Sequence, residues 1–322
     1  MRDEIVFLSD HRLKKPALAA IIVFPDKYNA VRRTMSYLQA QTAAKQMEVI
    51  LVVSSLEQCG FDKTELDCFH SWQVVESGTI KSIAHGFATG TRKAQAPVVV
   101  FTEDHSFPEA NWAQMLITAH KQQWAAVGPK IKNGNPESMV SWGDFYASYS
   151  EWAHPVSPGT VRHLPGHNSS YKRDVLLTFG EKLDSLMQAE SVLHRYLKAR
   201  GYKLWLESNT YTSHLNFTAW TPWIKAQYYT GRQFASTWAQ PWSWARRLLF
   251  TIGSPGIPWL RFWRIQKYVR MAHTSSFFIR LLPILLAGLL ANGLGQMVGY
   301  AAGASDSVEK VTEHERHRFK DT

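Results

Sequence analysis

Three short apolar runs in the first third of the chain constrain its fold more than any other feature. They are ALAAIIVF at 17–24, EVILVV at 48–53 and PVVVF at 97–101. Each has the length of a strand and is apolar on both alternating faces, as in a sheet that is covered on both sides. Residues 28–41 and 79–94, which follow the first two runs, have helical spacing. Strands that alternate with helices predict an α/β fold with parallel strands joined by right-handed crossovers.

The rest of the chain divides less sharply. A weaker strand is predicted at 72–75, and residues 128–171 are rich in Gly, Pro, Asn and Trp, which predicts loops that line a site. A helix is predicted over 190–200, because Gly201 follows it as a usual C-terminal stop. Short strands are then predicted at 203–206 and 210–214, and helices from about residue 220 onward.

Residues 281–303 form a segment of 23 residues without a charge. About 20 apolar residues are enough to span a bilayer. The segment also contains Pro283, Asn292, Gln296 and five glycines, which favour a re-entrant or in-plane amphipathic helix almost as much as a spanning one. A buried helix of a soluble domain is the third alternative. We therefore expect one domain over 1–235, a basic, aromatic and membrane-associated helical region over 236–303, and a polar tail over 304–322.

The formal net charge is +10 with a pI of about 9.5, which fits three kinds of partner: nucleic acid, an anionic membrane surface or phosphorylated substrates. The excess is concentrated just before the uncharged segment, at Arg246, Arg247, Arg261, Arg264, Lys267, Arg270 and Arg280. This position suits an anionic cytoplasmic leaflet better than a nucleic-acid groove. We therefore expect a membrane partner and no nucleic-acid partner.

Cysteine usage and the N-terminus indicate the compartment. The two cysteines, Cys59 and Cys68, form no CxxC pair, so they predict free thiols in a reducing compartment rather than a zinc site. The N-terminal MRDEIVFLSDHRLKKP lacks the continuous apolar core of a secretory signal. We expect a membrane-associated or single-pass protein whose catalytic part faces the cytoplasm.

The ends of the predicted strands indicate the site, because ligands of such sheets bind beyond the carboxyl ends of the strands. Three places qualify: Pro25 after the first strand, Ser54-Ser55 after the second, and Glu103-Asp104-His105 after PVVVF. Carboxylates there are natural ligands for Mg²⁺ or Mn²⁺, ions that proteins commonly share with substrate phosphates. The alternative is that an acidic residue only caps the helix predicted near 108–120.

Five segments, in order, carry a family resemblance. They are IIVFPDKYNAVRRTMSYLQAQT, EVILVVSS, APVVVFTEDH, PGHNSSYKRDVL and AESVLHRYLKARGYKLWLES. From Ala17 to His214 the sequence resembles family 2 glycosyltransferases of the GT-A fold, and the resemblance covers roughly two-thirds of the chain. It implies a Rossmann-like, mostly parallel sheet flanked by helices, followed here by a C-terminal helical, membrane-associated region.

The resemblance also implies a metal site. Glu103 and His105 match the two ligand positions of the family's acidic motif, with Asp104 between them. His105 replaces the usual second carboxylate, and His214 matches a late histidine that completes metal or diphosphate binding. Mn²⁺ or Mg²⁺ is the expected cofactor. A satisfied histidine in the core is the alternative for His214.

Catalytic and substrate-binding roles follow in the same way. Glu190 matches the general base that deprotonates the acceptor hydroxyl, although it also suits a charge at a helix N-terminus. Gly166, His167 and Asn168 match the acceptor-side loop. Gly166 would let a sugar or diphosphate approach the backbone closely, and His167 either contacts substrate or braces the loop. Arg232 is a candidate for the diphosphate, with a surface ion pair as its alternative.

Ser54 and Ser55 stand where the family has an acidic residue that bonds the nucleotide base, so the identity of the base stays open. The resemblance predicts an inverting, metal-dependent transferase that uses a nucleotide-diphosphate sugar and a lipid-linked or polysaccharide acceptor. One alternative is a non-catalytic relative that binds a glycan or nucleotide-sugar and supports a membrane assembly. A nucleotidyltransferase is disfavoured, because FPDKYNA after the first strand lacks the Gly-rich loop such enzymes use.

Overall fold

The structure, a computed structural model, describes residues 5–9, 15–24, 28–60, 63–80 and 82–317. Its strands are β1 (Ile5–Ser9), β2 (Leu18–Phe24), β3 (Met47–Val53), β4 (Ser71–Glu76), β5 (Val98–Thr102), β6 (Ser106–Pro108), β7 (Ala126–Asn133), β8 (Gly159–Val161), β9 (Ser170–Lys172) and β10 (Leu204–His214). Its helices are α1 (Arg32–Gln39), α2 (Leu56–Cys59), α3 (Ile83–Lys93), α4 (Trp112–Ala119), α5 (Met139–Tyr149), α6 (Arg173–Leu177), α7 (Lys182–Met187), α8 (Glu190–Ala199), α9 (Trp220–Ala239), α10 (Trp244–Gly253), α11 (Ile257–Ala272), α12 (Ser275–Ala302) and α13 (Ser307–His317).

The strands form one mixed sheet in the order β1-β4-β3-β2-β5-β9-β7-β10-β6, with β8 beside β10. The α/β class is therefore confirmed. Parallel pairing holds for β4-β3-β2-β5, whereas β1 on β4, β9 on both β5 and β7, and β8 on β10 are antiparallel. The expectation of a mostly parallel sheet is correct only for this central part, because β1, β8 and β9 each pair antiparallel with their neighbours.

The parallel strands are buried as their composition predicts. All seven residues of β2 and all seven of β3 are buried, so both faces of this part of the sheet are covered. On one face, α3 packs closely against β2, because a Cβ atom at Gly90 would lie 2.5 Å from Ile21 Cγ2. Gly86 is similarly close to Val23. This close packing holds the start of α3 near the carboxyl end of β2.

The middle segment differs from its prediction. Residues 128–171 were expected to be loops, but they contain α5, β8, most of β7 and part of β9. The aromatic side chains Phe145, Tyr146 and Tyr149 of α5 are buried, so the composition that suggested a site lining builds a helix most of whose residues are buried. The two strands expected at 203–206 and 210–214 are one continuous strand, β10, and the polar tail contains α13.

The chain forms two compact units. The first comprises residues 1–131 and 157–213, and the second comprises residues 132–156 and 214–322. The boundary expected after residue 235 therefore falls inside α9, and the tail from 304 belongs to the second unit. Patterns along the chain could not reveal that α5 folds with helices that follow it by about 80 residues.

The second unit is built around α12, which contains the uncharged segment and begins six residues before it. By length and composition α12 is a candidate membrane span, with a mean hydropathy of 1.9 over 18 residues, 39 % of which are buried in the protein. Its glycines let it pack backbone to backbone against α9, where Gly295 meets the Tyr228 carbonyl and Gly299 meets the Arg232 carbonyl. One side of α12 therefore packs against α9 of the same chain.

Polar residues of α12 have partners in the same unit. The Asn292 side chain donates to the Gln227 carbonyl at 3.0 Å and accepts from Arg261 Nη1 at 2.6 Å and from Gln296 at 2.9 Å. Arg261 also donates to the Ala147 carbonyl at 2.7 Å. These bonds explain how an apolar helix accommodates Asn292 and Gln296, since a buried polar group needs a hydrogen-bond partner.

We expect Gly295→Ala to destabilise the second unit by about 1–3 kcal/mol, because the added methyl group would clash with backbone, which cannot rotate away. Gly253→Ala is the matched control, since a Cβ there meets nothing within 4 Å. The measurement is the unfolding midpoint of the full chain in the same buffer. Equal midpoints for the two variants would contradict the close packing of α9 on α12.

Candidate active site

The candidate site lies at the carboxyl ends of the parallel strands. Glu103, Asp104 and His105 follow β5, whereas Ser54 and Ser55 follow β3. Because β2 lies between β5 and β3, the two groups are separated by two strand spacings, about 10 Å. Pro25 lies outside the described residues.

Glu103 is the centre of a hydrogen-bonded cluster. Its side chain is 11 % exposed. Oε1 accepts from His167 Nδ1 at 3.1 Å, and Oε2 accepts from Asn168 Nδ2 at 3.2 Å and from the Ser106 hydroxyl at 3.3 Å. Asn168 is itself buried and also donates to the Gly166 carbonyl at 3.2 Å. The loop before β9 therefore closes onto the acidic motif after β5, and the two predicted segments meet.

His167 joins the acidic motif to Glu190. Its backbone N–H donates to Glu190 Oε1 at 2.8 Å, and its ring Nε2 lies 3.6 Å from Glu190 Oε2. His167 has φ +55°, a left-handed conformation that is uncommon for residues other than glycine. This backbone turn directs the amide toward one carboxylate while Nδ1 points to Glu103. These contacts brace the loop, and a contact of His167 with substrate stays a prediction.

Glu190 is the first residue of α8 and is buried, with 8 % of its side chain exposed. Burial raises its pKa above the ordinary value; the His167 charge and N–H lower it, and the Glu103 charge raises it. A Cβ at Gly166 would lie 2.5 Å from Glu190 Oε2. The close approach predicted at Gly166 is therefore made by the Glu190 carboxylate.

Three side chains could hold a metal ion. One ligand atom from each of Glu103, His105 and His214 lies within 4.8 Å of the other two. His214 is the last residue of β10, and the other residues of that strand belong to the first unit. His105 Nδ1 donates to Asp104 Oδ1 at 2.6 Å, and His214 Nδ1 donates to Asn216 Oδ1 at 3.1 Å. In both rings Nε2 then carries the lone pair that binds metal, an arrangement typical of metal-ligating histidines.

A second buried cluster holds α8 in place. His194, one turn after Glu190, accepts from the Leu164 N–H at Nδ1 over 3.4 Å, so its Nε2 carries the hydrogen and donates to the Tyr171 hydroxyl at 2.7 Å. Burial, helped by the nearby His163, lowers the pKa of His194 to about 3, so the ring stays neutral. Burial and the Glu190 charge raise the pKa of Tyr171. Two neutral side chains thus anchor the helix that carries Glu190.

The remaining predicted residues are not joined to this cluster by a described contact. Ser54 and Ser55 are half-buried, and the next residue, Leu56, donates its N–H to Glu76 Oε2 at 3.4 Å. Glu76 ends β4, directly beside Val53 of β3. Sequence reasoning missed this carboxylate, although the rule about strand ends, applied to SWQVVE, would have found it.

Arg232 lies in α9 of the second unit. Its Nε donates to the Gly303 carbonyl at 2.9 Å, and its Nη1 lies 4.0 Å from Asp306 Oδ1. The guanidinium is only 15 % exposed and is engaged at the end of α12. These contacts describe a helix-end clamp, which is closer to the ion pair than to the diphosphate role.

The arrangement can hold a divalent cation beside a carboxylate of raised basicity at the open end of a parallel sheet. Comparison with known proteins adds no assignment, since no protein-family model and no curated protein sequence matches the chain.

Proposed function

We propose that this protein is an inverting, metal-dependent glycosyltransferase with a GT-A domain. It moves a sugar from a nucleotide-diphosphate sugar to a lipid-linked or polysaccharide acceptor. The observation that carries the proposal is the convergence of Glu103 and Glu190, 87 positions apart in the sequence, on the single imidazole of His167. Glu103 lies beside two histidines and suits a cation, whereas Glu190 has a raised pKa and suits a proton. A reaction that needs both groups is served by holding them close together.

Glu190 is the general base. It takes the proton of the acceptor hydroxyl as that oxygen attacks the anomeric carbon, and the bond to the nucleotide diphosphate breaks in the same displacement. Its buried position supports this role, because a carboxylate with a raised pKa accepts a proton more readily. The His167 N–H remains bonded to Oε1 and keeps the carboxylate oriented.

The metal is held by Glu103, His105 and His214. Their one carboxylate and two imidazoles are a donor set that favours Mn²⁺ over Mg²⁺, since Mg²⁺ prefers oxygen ligands. When bound, the cation supplies charge that stabilises the departing diphosphate. Asp104 orients His105 through its 2.6 Å bond and is not one of the three clustered ligands.

Donor and acceptor recognition use the same edge of the sheet. Ser54 and Ser55 follow β3 and Glu76 ends β4, two and three strand spacings from β5 along that edge, where they offer hydroxyl and carboxylate groups to a nucleoside. Membrane association, on the cytoplasmic face, is part of the proposal because the basic residues precede an apolar helix. No nucleic-acid partner is proposed.

We expect Glu190→Gln to lower transfer by about 10²–10⁴-fold and to leave donor binding unchanged. The same variant should raise the unfolding midpoint at neutral pH, measured in EDTA. A raised carboxyl pKa means that the folded state loses stability as pH rises through that pKa, and glutamine removes this loss. The gain should disappear under acidic conditions, where Glu190 is protonated.

Near-normal turnover of Glu190→Gln would mean that another group is the base. Donor binding without any transfer or donor hydrolysis in the unaltered protein would instead favour a non-catalytic relative that binds nucleotide-sugar.

We expect Gly166→Ala to lower transfer by about 100-fold with little loss of stability. The new methyl group displaces the end of a flexible side chain, the Glu190 carboxylate, rather than backbone. Gly159→Ala is the control, because a Cβ there meets nothing within 4 Å. Rates and unfolding midpoints are measured for both. Full activity of Gly166→Ala would mean that the position of the Glu190 carboxylate does not matter for transfer.

We expect Glu103→Ala combined with His105→Ala to abolish Mn²⁺-dependent binding of nucleoside diphosphates. The assay is the thermal shift that each diphosphate produces with Mn²⁺ and with EDTA, since a ligand of the folded state raises the midpoint. His85→Ala is the control, as a half-exposed histidine that pairs with Asp184 outside this cluster. A shift that is equal with and without metal in the unaltered protein refutes the metal role.

A further inference from the structure

Helix α10 exposes an apolar stripe. None of its residues is buried. Trp244, Leu248 and Ile252 recur every fourth residue and are 77 %, 50 % and 70 % exposed, and Leu249 beside them is 67 % exposed. A helix on the surface of a soluble protein turns its apolar stripe inward and its polar residues outward. Here the stripe points away from the protein.

The apolar surface continues on α11, after the turn at Ser254–Gly256. Trp259, Leu260 and Trp263 are 54 %, 53 % and 70 % exposed. Beside Trp259 lies a groove of about 250 Å³, whose lining includes Pro255, Pro258, Leu290, Leu294 and Met297. Exposed apolar area of this extent marks a binding surface rather than ordinary surface variation.

The chain segment that carries this apolar surface has positively charged side chains and no negatively charged ones. Residues 208–305 contain no Asp or Glu and nine basic residues: Lys225, Arg232, Arg246, Arg247, Arg261, Arg264, Lys267, Arg270 and Arg280. The second half of α11 exposes Arg264, Lys267 and Arg270 after its apolar first half. An apolar face whose own helices expose only cations is complementary to an apolar layer with an anionic boundary.

We propose that α10 and α11 dock in the plane of an anionic lipid bilayer. The docking face consists of the apolar side chains Trp244, Leu248, Leu249, Ile252, Trp259, Leu260 and Trp263 and the basic side chains Arg264, Lys267 and Arg270. The apolar groups enter the boundary between headgroups and acyl chains, where tryptophan is preferred, and the cations pair with lipid phosphates. The apolar groove at Trp259 receives part of an acyl chain.

Docking through α10 and α11 specifies the membrane association of the proposed function and does not require α12 to cross the membrane. It rests on contacts within the second unit alone and is tested without transfer. Loss of sugar transfer therefore leaves it standing, and loss of membrane binding leaves the catalytic proposal standing.

The first test removes the apolar stripe with Trp244→Ser, Leu248→Ser and Ile252→Ser together. The full chain is sedimented with vesicles of equimolar phosphatidylcholine and phosphatidylglycerol, and with pure phosphatidylcholine vesicles. Partitioning should fall at least about tenfold on both, because each side chain contributes apolar burial. Tyr196→Ser, which removes a residue 42 % exposed in the first unit, should change nothing. Since the stripe packs against solvent, the triple variant should keep its unfolding midpoint.

The second test reverses two charges with Arg264→Glu and Lys267→Glu. Partitioning on the anionic vesicles should fall at least about tenfold, whereas binding to neutral vesicles should be unchanged. Lys182→Glu with Lys198→Glu is the control, since both lysines are exposed in the first unit.

Unchanged partitioning of both variants overturns the proposal and leaves α12 as the anchor. A chain that is dimeric in detergent-free buffer, and becomes monomeric on removal of the stripe while vesicle binding persists, also overturns it, because the face then joins two copies of the protein.

Discussion

A buried carboxylate needs a partner, and two neighbouring carboxylates need one between them. In the first unit that partner is His167, whose ring lies 3.1 Å from Glu103 and 3.6 Å from Glu190. Without it the two negative charges would repel each other in a region of low dielectric, where such repulsion is strong. Three features hold His167 in this position. They are its left-handed backbone, the closed loop before β9 and the buried side chain of Asn168.

The same contact lowers the pKa of Glu190 without cancelling the rise that burial causes. His167 offsets part of the cost of burial with its ring and its N–H, yet burial remains the largest effect. The scaffold beneath is neutral, since His194 and Tyr171 are held uncharged by their own burial. A charged brace at His194 would lower the pKa of Glu190 further. The neutral pair therefore fixes the helix without lowering the pKa of Glu190.

Much of this could be predicted from local patterns. The apolar runs identify β2, β3 and β5, because a strand buried on both faces needs apolar residues at consecutive positions. The strand-end rule places Glu103 at the site. It could not show that Gly166 admits Glu190 rather than substrate, since that depends on a contact between residues 24 positions apart. Likewise, α5 was missed although Phe145, Tyr146 and Tyr149 stand at helical spacing, because the Gly, Pro and Asn residues around them indicated loops. Its packing partners also come much later in the chain.

The second unit places glycines and bulky apolar residues in different environments: the glycines of α12 in helix packing, and the bulky residues of α10 and α11 on the surface. Glycines on α12 face α9 and allow backbone contact, so the association of these helices requires neither large side chains nor water to drive it. The bulky apolar residues of α10 and of the first half of α11 remain outside, where in water they would lower solubility. In a soluble helical bundle these tryptophans and leucines would lie inside, as Trp223 does here. The proposed lipid boundary would resolve the conflict, because there the exposed apolar side chains lose contact with water while Arg264, Lys267 and Arg270 keep theirs.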